Sequence, residues 1–261
     1  MVKILVTGGT GALGRVVVDR LLPDGHDVTV VSRRARPERA AGTPGWATVD
    51  WRTGTGLDAA IDGADAVVHC ATSYRGIDLE RRLVETARQA DGPHIVYISI
   101  VGVDRIPFPY YRLKLAAERL LADSGLPHTV LRATQFHGLV RELFALGSRS
   151  PVMPVLDMRV QPIDVTDVAG RLAELATGQP AGRVTDMGGP EVRTVRDLAR
   201  TYLRVTGRRR VVAPIRLPGK AFRAFRAGGN LTPGHAVGTV TFEDYLRRLS
   251  DPATTSYRGV H

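Results

Sequence analysis

The feature that most constrains this chain is the run Gly8-Gly9-Thr10-Gly11-Ala12-Leu13-Gly14, four glycines in seven residues set directly behind the apolar stretch Val2–Val6. After the turn, Leu13, Val16, Val17 and Leu21 recur at helical spacing and share one face. Strand, glycine turn and helix follow one another without a spacer. Glycine permits the tight reversal, lets main chain come close to a bound group, and lets the helix pack against the strand. The helix start then presents unpaired N–H groups and the positive end of its dipole, which together suit a pyrophosphate. The spacing Gly9-x-Gly11-x-x-Gly14 satisfies the general dinucleotide pattern, and Gly8-x-x-Gly11-x-x-Gly14 a variant of it.

The next hundred residues keep the alternation. Strands are predicted at Asp27–Ser32, Ala47–Val49, Ala64–Ala71, His94–Ile100 and Thr129–Arg132. Leu79, Leu83, Ala87 and Ala90 mark one helix between them, and a second is predicted from Tyr110 to Ser124. Such alternation argues for an α/β fold, a Rossmann-type doubly wound parallel sheet. The apolar core of the fourth strand, Ala66-Val67-Val68, suits a sheet covered on both faces.

From about residue 135 the pattern loosens. Short strands are expected near Gln161–Ile163, Arg183–Met187 and Arg210–Ile215, with helices opening at Thr166 and Thr194 and a last one over Thr241–Leu249. Asp197, three residues past Thr194, makes a pattern that resembles a capping box with Asp in place of Glu. With no long linker, the chain reads as one unit: roughly 1–134 as cofactor-binding core and 135–261 as a small substrate-binding lobe. The tail after Asp251 is expected to fray.

One cysteine, Cys70, excludes an intrachain disulfide and a cysteine-built metal site, and no His/Asp/Glu cluster has metal-ligand spacing. No stretch approaches the ~18 apolar residues of a membrane span. The expectation is a cytoplasmic protein acting on a small molecule, as monomer or homodimer. The net charge of +10 raises the question of nucleic acid. Most arginines are scattered among acids, as in Asp78-Leu79-Glu80-Arg81-Arg82, so an anionic cofactor accounts for the balance better than a nucleic-acid partner.

The end of the second strand selects the cofactor. A site built for NAD(H) puts an acid there for the ribose hydroxyls. This chain has Ser32-Arg33-Arg34 and no acid until Glu38. Two guanidinium groups suit a 2′-phosphate, so NADP(H) is expected. Tyr110 and Lys114 stand four apart on a predicted helix and share a face, and Ser99 ends the fifth strand. A carbonyl that accepts hydride needs a proton, and a tyrosine supplies one when a nearby ammonium stabilises the phenolate against its ordinary pKa of ~10. Serine holds the oxygen. Tyr111 is the rival acid but lies off the lysine spacing.

These residues carry a resemblance. Val6-Thr7-Gly8-Gly9-Thr10-Gly11, Val68-His69-Cys70-Ala71-Thr72, Tyr97-Ile98-Ser99, Tyr110 with Lys114 and Glu118, Leu131-Arg132-Ala133-Thr134-Gln135-Phe136, Gln161-Pro162-Ile163-Asp164-Val165 with Asp167-Val168-Ala169, and Gly188-Gly189-Pro190-Glu191 span nearly the whole chain. Together they resemble atypical short-chain dehydrogenase/reductases of the NmrA-like, NAD(P)H-binding branch related to the extended epimerases. The resemblance implies a seven-stranded parallel sheet. It implies that Ala71 and Thr72 line the cofactor, that Asp50 lies near the adenine, and that Ala133, Thr134 and Gln135 lie beside the nicotinamide. Many NmrA-like members lack the tyrosine, whereas this chain keeps both Tyr110 and Lys114.

The expected function is an NADPH-dependent reductase passing hydride to a carbonyl, quinone or activated double bond of an apolar substrate, polycyclic aromatics included. The alternatives are an NADP(H) sensor without turnover, and an epimerase or dehydratase with tightly held cofactor. Candidate substrate contacts are Phe136, His137, Met153, Phe222 and Phe225, with His69 as a further candidate. Phe222 and Phe225 sit in the Gly/Pro-rich segment 216–240, read either as a lid or as an ordinary amphipathic helix.

Overall fold

The computed structural model describes residues 1–35 and 44–253. Its strands are β1 (Lys3–Thr7), β2 (Asp27–Ser32), β3 (Gly45–Thr48), β4 (Ala66–His69), β5 (His94–Ile100), β6 (His128–Ala133), β7 (Val152–Leu156), β8 (Arg159–Val160), β9 (Gly182–Arg183), β10 (Arg193–Thr194) and β11 (Val211–Ile215). Its α-helices are α1 (Ala12–Leu21), α2 (Leu57–Ile61), α3 (Asp78–Gln89), α4 (Pro109–Ala122), α5 (His137–Gly147), α6 (Val165–Thr177), α7 (Val195–Val205), α8 (Lys220–Arg226) and α9 (Phe242–Arg248).

The chain forms two compact units that interleave in sequence. The first comprises Met1–Ser99, Arg112–Leu131 and Val168–Val184; the second comprises Ile100–Tyr111, Arg132–Asp167 and Thr185–His261.

The first unit is built on the seven-stranded sheet, in the order β3-β2-β1-β4-β5-β6-β9. The pairings of β1 with β2 and β4 are parallel, in registers such as Val6 to Val30 and Val6 to Val68. The strand order reverses between β1 and β4, and the carboxyl ends of strands at such a switch point are where open α/β sheets bind ligands. β4 is buried at all four positions, which its continuous apolar sequence anticipates. Leu5, Val67, Ile95, Leu57, Ile61, Leu83 and Leu121 join sheet and helices in one core cluster. The expected strand at Arg183–Met187 shortens to β9, because Val184 pairs through one backbone bond and Met187 only forms a bridge with Ala133.

The second unit has a core of its own, where Val140 and Phe144 of α5 meet Met153, Val155, Leu198, Tyr202, Phe242 and Leu246. Its strands form two small pairs, β8 with β10 and β7 with β11. Helix α7 starts as its sequence implies, since the Thr194 hydroxyl accepts the N–H of Asp197 at 3.1 Å. Thr241 caps α9 through Asp244 in the same way. The strand expected at Gln161–Ile163 lies earlier, as β8 over Arg159–Val160, and the expected segment keeps only an isolated bridge from Ile163 to Phe136. The fraying expected beyond Asp251 concerns residues that mostly lie outside the described ones. Among the described residues no helix is long and apolar enough to cross a membrane.

Candidate functional site

The glycine turn closes on itself through one hydrogen bond, from the Gly11 N–H to the Gly8 carbonyl at 2.8 Å. Gly8 takes a positive φ of +68°, and a Cβ there would stand 2.7 Å from the Ala71 nitrogen. The turn after β1 therefore lies against the chain leaving β4, and only a residue without a side chain permits it. Helix α1 begins at Ala12 with Gly11 as its cap, without a capping side chain and without an acid in its first turn. Its leading amides are left for an external acceptor. Leu13 and Gly14 are buried, Gly11 and Ala12 half-buried, and Thr10 exposed.

At the end of β2, Ser32 is buried and its hydroxyl accepts the Arg34 N–H at 3.1 Å. The Arg34 carbonyl accepts the Trp46 indole N–H at 3.0 Å, so the turn is anchored while Arg33 and Arg34 stay exposed. Glu38 lies outside the described residues. Asp50 is exposed beyond β3, and its carboxylate is occupied by the Arg52 N–H at 2.8 Å. Ala71 is half-buried and Thr72 exposed, both just past β4.

Tyr110 falls in the first turn of α4 and Lys114 one turn later, the spacing on which the sequence reading rested. Lys114 is 6% exposed, and its ammonium donates to the Ile98 carbonyl at 2.9 Å. It also lies 4.4 Å from the centre of the Tyr97 ring. Burial depresses Lys114 to about 8, against the pull of Glu80, Cys70 and Glu118. Ser99 is buried, and its hydroxyl has no hydrogen-bond partner among the described residues. The rival Tyr111 is pushed up to about 12 by burial, against a hydrogen bond from Gln135. It packs edge-on to Phe108 and Phe225 at 6.0 and 5.7 Å, a packing role.

Several expected substrate contacts are core residues instead. His137 is 1% exposed, with Nε2 at 2.9 Å from the Val240 carbonyl and its ring stacked on Tyr245. Burial pushes its imidazole below the usual range. Met153 is fully buried in the core of the second unit, where its side chain fills the space beside Gly147. His69 is fully buried too, so no substrate reaches it. Phe136 is half-buried at the cap of α5. Phe222 and Phe225 are half-buried on α8, the helix reading of that segment, and Phe225 also packs on Phe108 at 6.1 Å. Ala133 and Thr134 are buried, and the Thr134 hydroxyl is spent on the Gln161 carbonyl at 2.5 Å. Gln135 holds the Asn230 carbonyl at 3.4 Å.

Cys70 is only partly buried as a residue, yet its thiol is shielded enough that burial pushes it up to about 12. A thiol so placed is not a nucleophile. Thr7 and Tyr97, which the sequence offers only as parts of longer motifs without a role of their own, adjoin this region together with Glu80. Glu80 sits in a run of charges that reads as a solvated helix face, but it is 4% exposed.

The two features that a nicotinamide dinucleotide needs are thus present in the first unit: a turn that a Cβ would obstruct, and an uncapped helix start. A family model described as NAD(P)H-binding matches residues 8–176. The (4-alkanoyl-5-oxo-2,5-dihydrofuran-3-yl)methyl phosphate reductase of Streptomyces griseus is 33% identical over 213 residues, 78% of this chain and 74% of that protein. An uncharacterized Mycobacterium tuberculosis protein is 33% identical over 157 residues, and the match spans only 17% of its length. Two solved structures share the fold. The NADPH-dependent quinone oxidoreductase of Escherichia coli in complex with NADPH has a TM-score of 0.80 at 20% identity, covering 94% of this chain and 98% of that one. The Citrobacter triphenylmethane reductase complexed with NADP(H) has a TM-score of 0.77 at 20% identity, covering 95% and 100%.

Proposed function

The chain belongs to the NAD(P)H-binding family, and on that premise we propose that it is an NADPH-dependent reductase of the short-chain dehydrogenase/reductase type, acting on a carbonyl, a quinone or an activated double bond. The observation that carries this reading is Lys114, an ammonium retained at 6% exposure one helical turn from Tyr110. Burying a charge is costly unless it is used or paired. A binding turn alone has no need of it.

The residues divide the work as follows. Gly8, Gly11 and Gly14 bring main chain to the pyrophosphate, and the first amides of α1 donate to it. Arg33 and Arg34, exposed at the end of β2 and with no acid in the sequence before Glu38, take the 2′-phosphate. The bound cofactor supplies a hydride. Tyr110 gives the proton that the reduced oxygen requires. Lys114 stabilises the phenolate left behind, as does the positive end of α4, in whose first turn Tyr110 sits. The Ser99 hydroxyl, which has no hydrogen-bond partner among the described residues, holds the reacting oxygen.

The test is NADPH oxidation against a panel of quinones, ketones and enones. The wild type turns over at least one of them, and Tyr110→Phe lowers kcat/KM by about 10²–10⁴ with NADPH affinity retained. Tight NADPH binding without turnover on any member would assign the chain to sensing instead. In the same preparation, Arg33→Ala with Arg34→Ala weakens NADPH by about 10–100-fold and NADH little, from the loss of charge-assisted bonds. Equal losses for both nucleotides would remove the NADP(H) preference.

A further inference from the structure

The net charge of +10 is unevenly placed. Arg208-Arg209-Arg210 is the one run of three consecutive basic residues in the sequence, and the proposed chemistry gives it no task. The run follows the turn at Gly207 and leads from α7 into β11. Arg209, Arg210 and Val211 meet Arg149 and Pro151, from the connection between α5 and β7, around a surface cavity of about 460 Å³. All five lining residues belong to the second unit, whereas the glycine turn belongs to the first. A buried serine holds part of the cluster in place. Ser148, fully buried at the end of α5, accepts a hydrogen bond from Arg208 Nη1 on its hydroxyl at 2.8 Å and one from Arg210 Nε on its carbonyl at 2.7 Å. The same hydroxyl donates to the Ala145 carbonyl at 3.0 Å, which ties it to the helix. Arg210 Nη1 donates to the Arg209 carbonyl at 2.8 Å.

Carbonyl and hydroxyl oxygens orient these guanidinium groups but cancel none of their charge. Among the described residues, no carboxylate lines the cavity, and Arg149, Arg208, Arg209 and Arg210 form no ion pair with an acid. Like charges gathered in this way repel, and a multiply charged anion seated among them removes the repulsion. We propose that the cavity binds a phosphorylated small molecule, with Arg149, Arg209 and Arg210 holding its phosphoryl oxygens and Pro151 and Val211 lying against its carbon portion. Planar guanidinium forks match phosphoryl oxygens in geometry as well as charge. The apolar part of the wall is real: Val211 is 65% exposed, and parallel register sets it beside Val152, exposed as well. The volume exceeds what inorganic phosphate fills and falls within the range of small-molecule sites, about 300–1,000 Å³. Arg208 does not line the cavity and contributes charge only. A nucleic acid would need basic residues in a stripe that tracks successive phosphates, whereas these converge on one concavity. The inference shares no residue with the proposed reductase site and does not depend on it.

The test titrates the full chain with phenyl phosphate by calorimetry, at about 0.15 M chloride so that loose surface attraction is screened. NADPH is present in excess, which fills its own phosphate sites. Phenyl phosphate binds, and inorganic phosphate binds more weakly because it leaves Pro151 and Val211 uncovered. Arg149→Ala with Arg209→Ala removes two exposed side chains. The pair weakens phenyl phosphate at least about tenfold, from the loss of charge-assisted bonds, and leaves NADPH affinity unchanged. Arg149→Lys with Arg209→Lys keeps the charge, loses the fork and recovers only part of the affinity. Phenyl phosphate that binds the alanine variant as it binds the wild type overturns the proposal. So does capture of phosphatidylglycerol vesicles or of a single-stranded oligonucleotide by these arginines while phenyl phosphate fails to bind, since the surface would then serve a membrane or a nucleic acid. If NADPH itself does not bind, the titration is run without it: the reductase reading falls, and the arginine variants still decide this site.

Discussion

Gly8→Ala is the substitution that probes the cofactor turn most directly. Two costs are readable from the structure. An alanine at φ +68° occupies the left-handed region, which costs about 1–2 kcal/mol for an L-residue. Its Cβ would also stand 2.7 Å from the Ala71 nitrogen and 2.9 Å from the Ala71 Cα and the Cys70 carbonyl carbon. These are main-chain atoms at the end of a buried strand in parallel register with β1, so they cannot rotate away as a flexible side chain would. Overpacking of this kind costs about 1–3 kcal/mol. The stiffer unfolded chain returns about 0.4–1 kcal/mol. The net loss is then about 2–4 kcal/mol, or a melting temperature lower by about 5–15 °C for a chain of this size. Relief of the clash moves the Gly8 carbonyl, which holds the Gly11 N–H, and so displaces the amides meant for the pyrophosphate. NADPH affinity falls at least about tenfold, the loss of one good hydrogen bond to a charged group. Gly25→Ala is the matched control: its φ is +79° with nothing within 4 Å of the added carbon. It carries the backbone cost alone and leaves NADPH binding intact. The assay is thermal denaturation of both variants with NADPH fluorescence titration. The reasoning is refuted if Gly8→Ala costs no more than Gly25→Ala and binds NADPH like the wild type.

Lys114 gives the unliganded protein a pH signature. Its folded value, about 8, lies below the ordinary 10.5, so between these pH values the unfolded chain binds the extra proton and stability rises with pH. Below 8 the lysine is charged in both states and the whole burial penalty of about 3 kcal/mol weighs on the fold; above 10.5 it is neutral in both and the penalty vanishes. Relative to wild type, Lys114→Met is therefore the more stable protein at pH 7, and the gap closes by pH 10.5; urea midpoints that diverge with rising pH contradict this. Cys70, with its thiol near 12, should react with iodoacetamide at pH 8 at least about 100-fold more slowly than an ordinary thiol of pKa ~8.5, and at the ordinary rate once urea unfolds the chain.

Local physics made much of this protein readable from its residues in order. β2 and β5 occupy the predicted ranges because uninterrupted apolar and β-branched runs leave one option. Thr194 caps α7 because hydroxyl and amide are three residues apart whatever surrounds them. Tyr110 and Lys114 meet one face of α4 for the same reason. Where the alternation loosens, the reading loosens too. Helix α5 was not anticipated, and its exposed Leu139, Leu143 and Leu146 opposite buried Val140, Phe144 and Ala145 explain why: apolar residues on both faces erase the periodic signal.

What the sequence by itself determined is therefore the glycine turn, the alternation of strand and helix that calls for a parallel sheet, and the class of cofactor, since each is written in neighbours within a few residues. Tertiary structure alone decided what surrounds each polar side chain. His137 and Met153 read as pocket residues and proved to be core, because their burial is set by Val240, Tyr245 and Gly147, far along the chain or on another element. Glu80 stands among charges in the sequence and is the buried partner of His69, because only the packing of α3 on the sheet brings the two together. Burial is a property of the assembled fold, and no spacing along the chain encodes it.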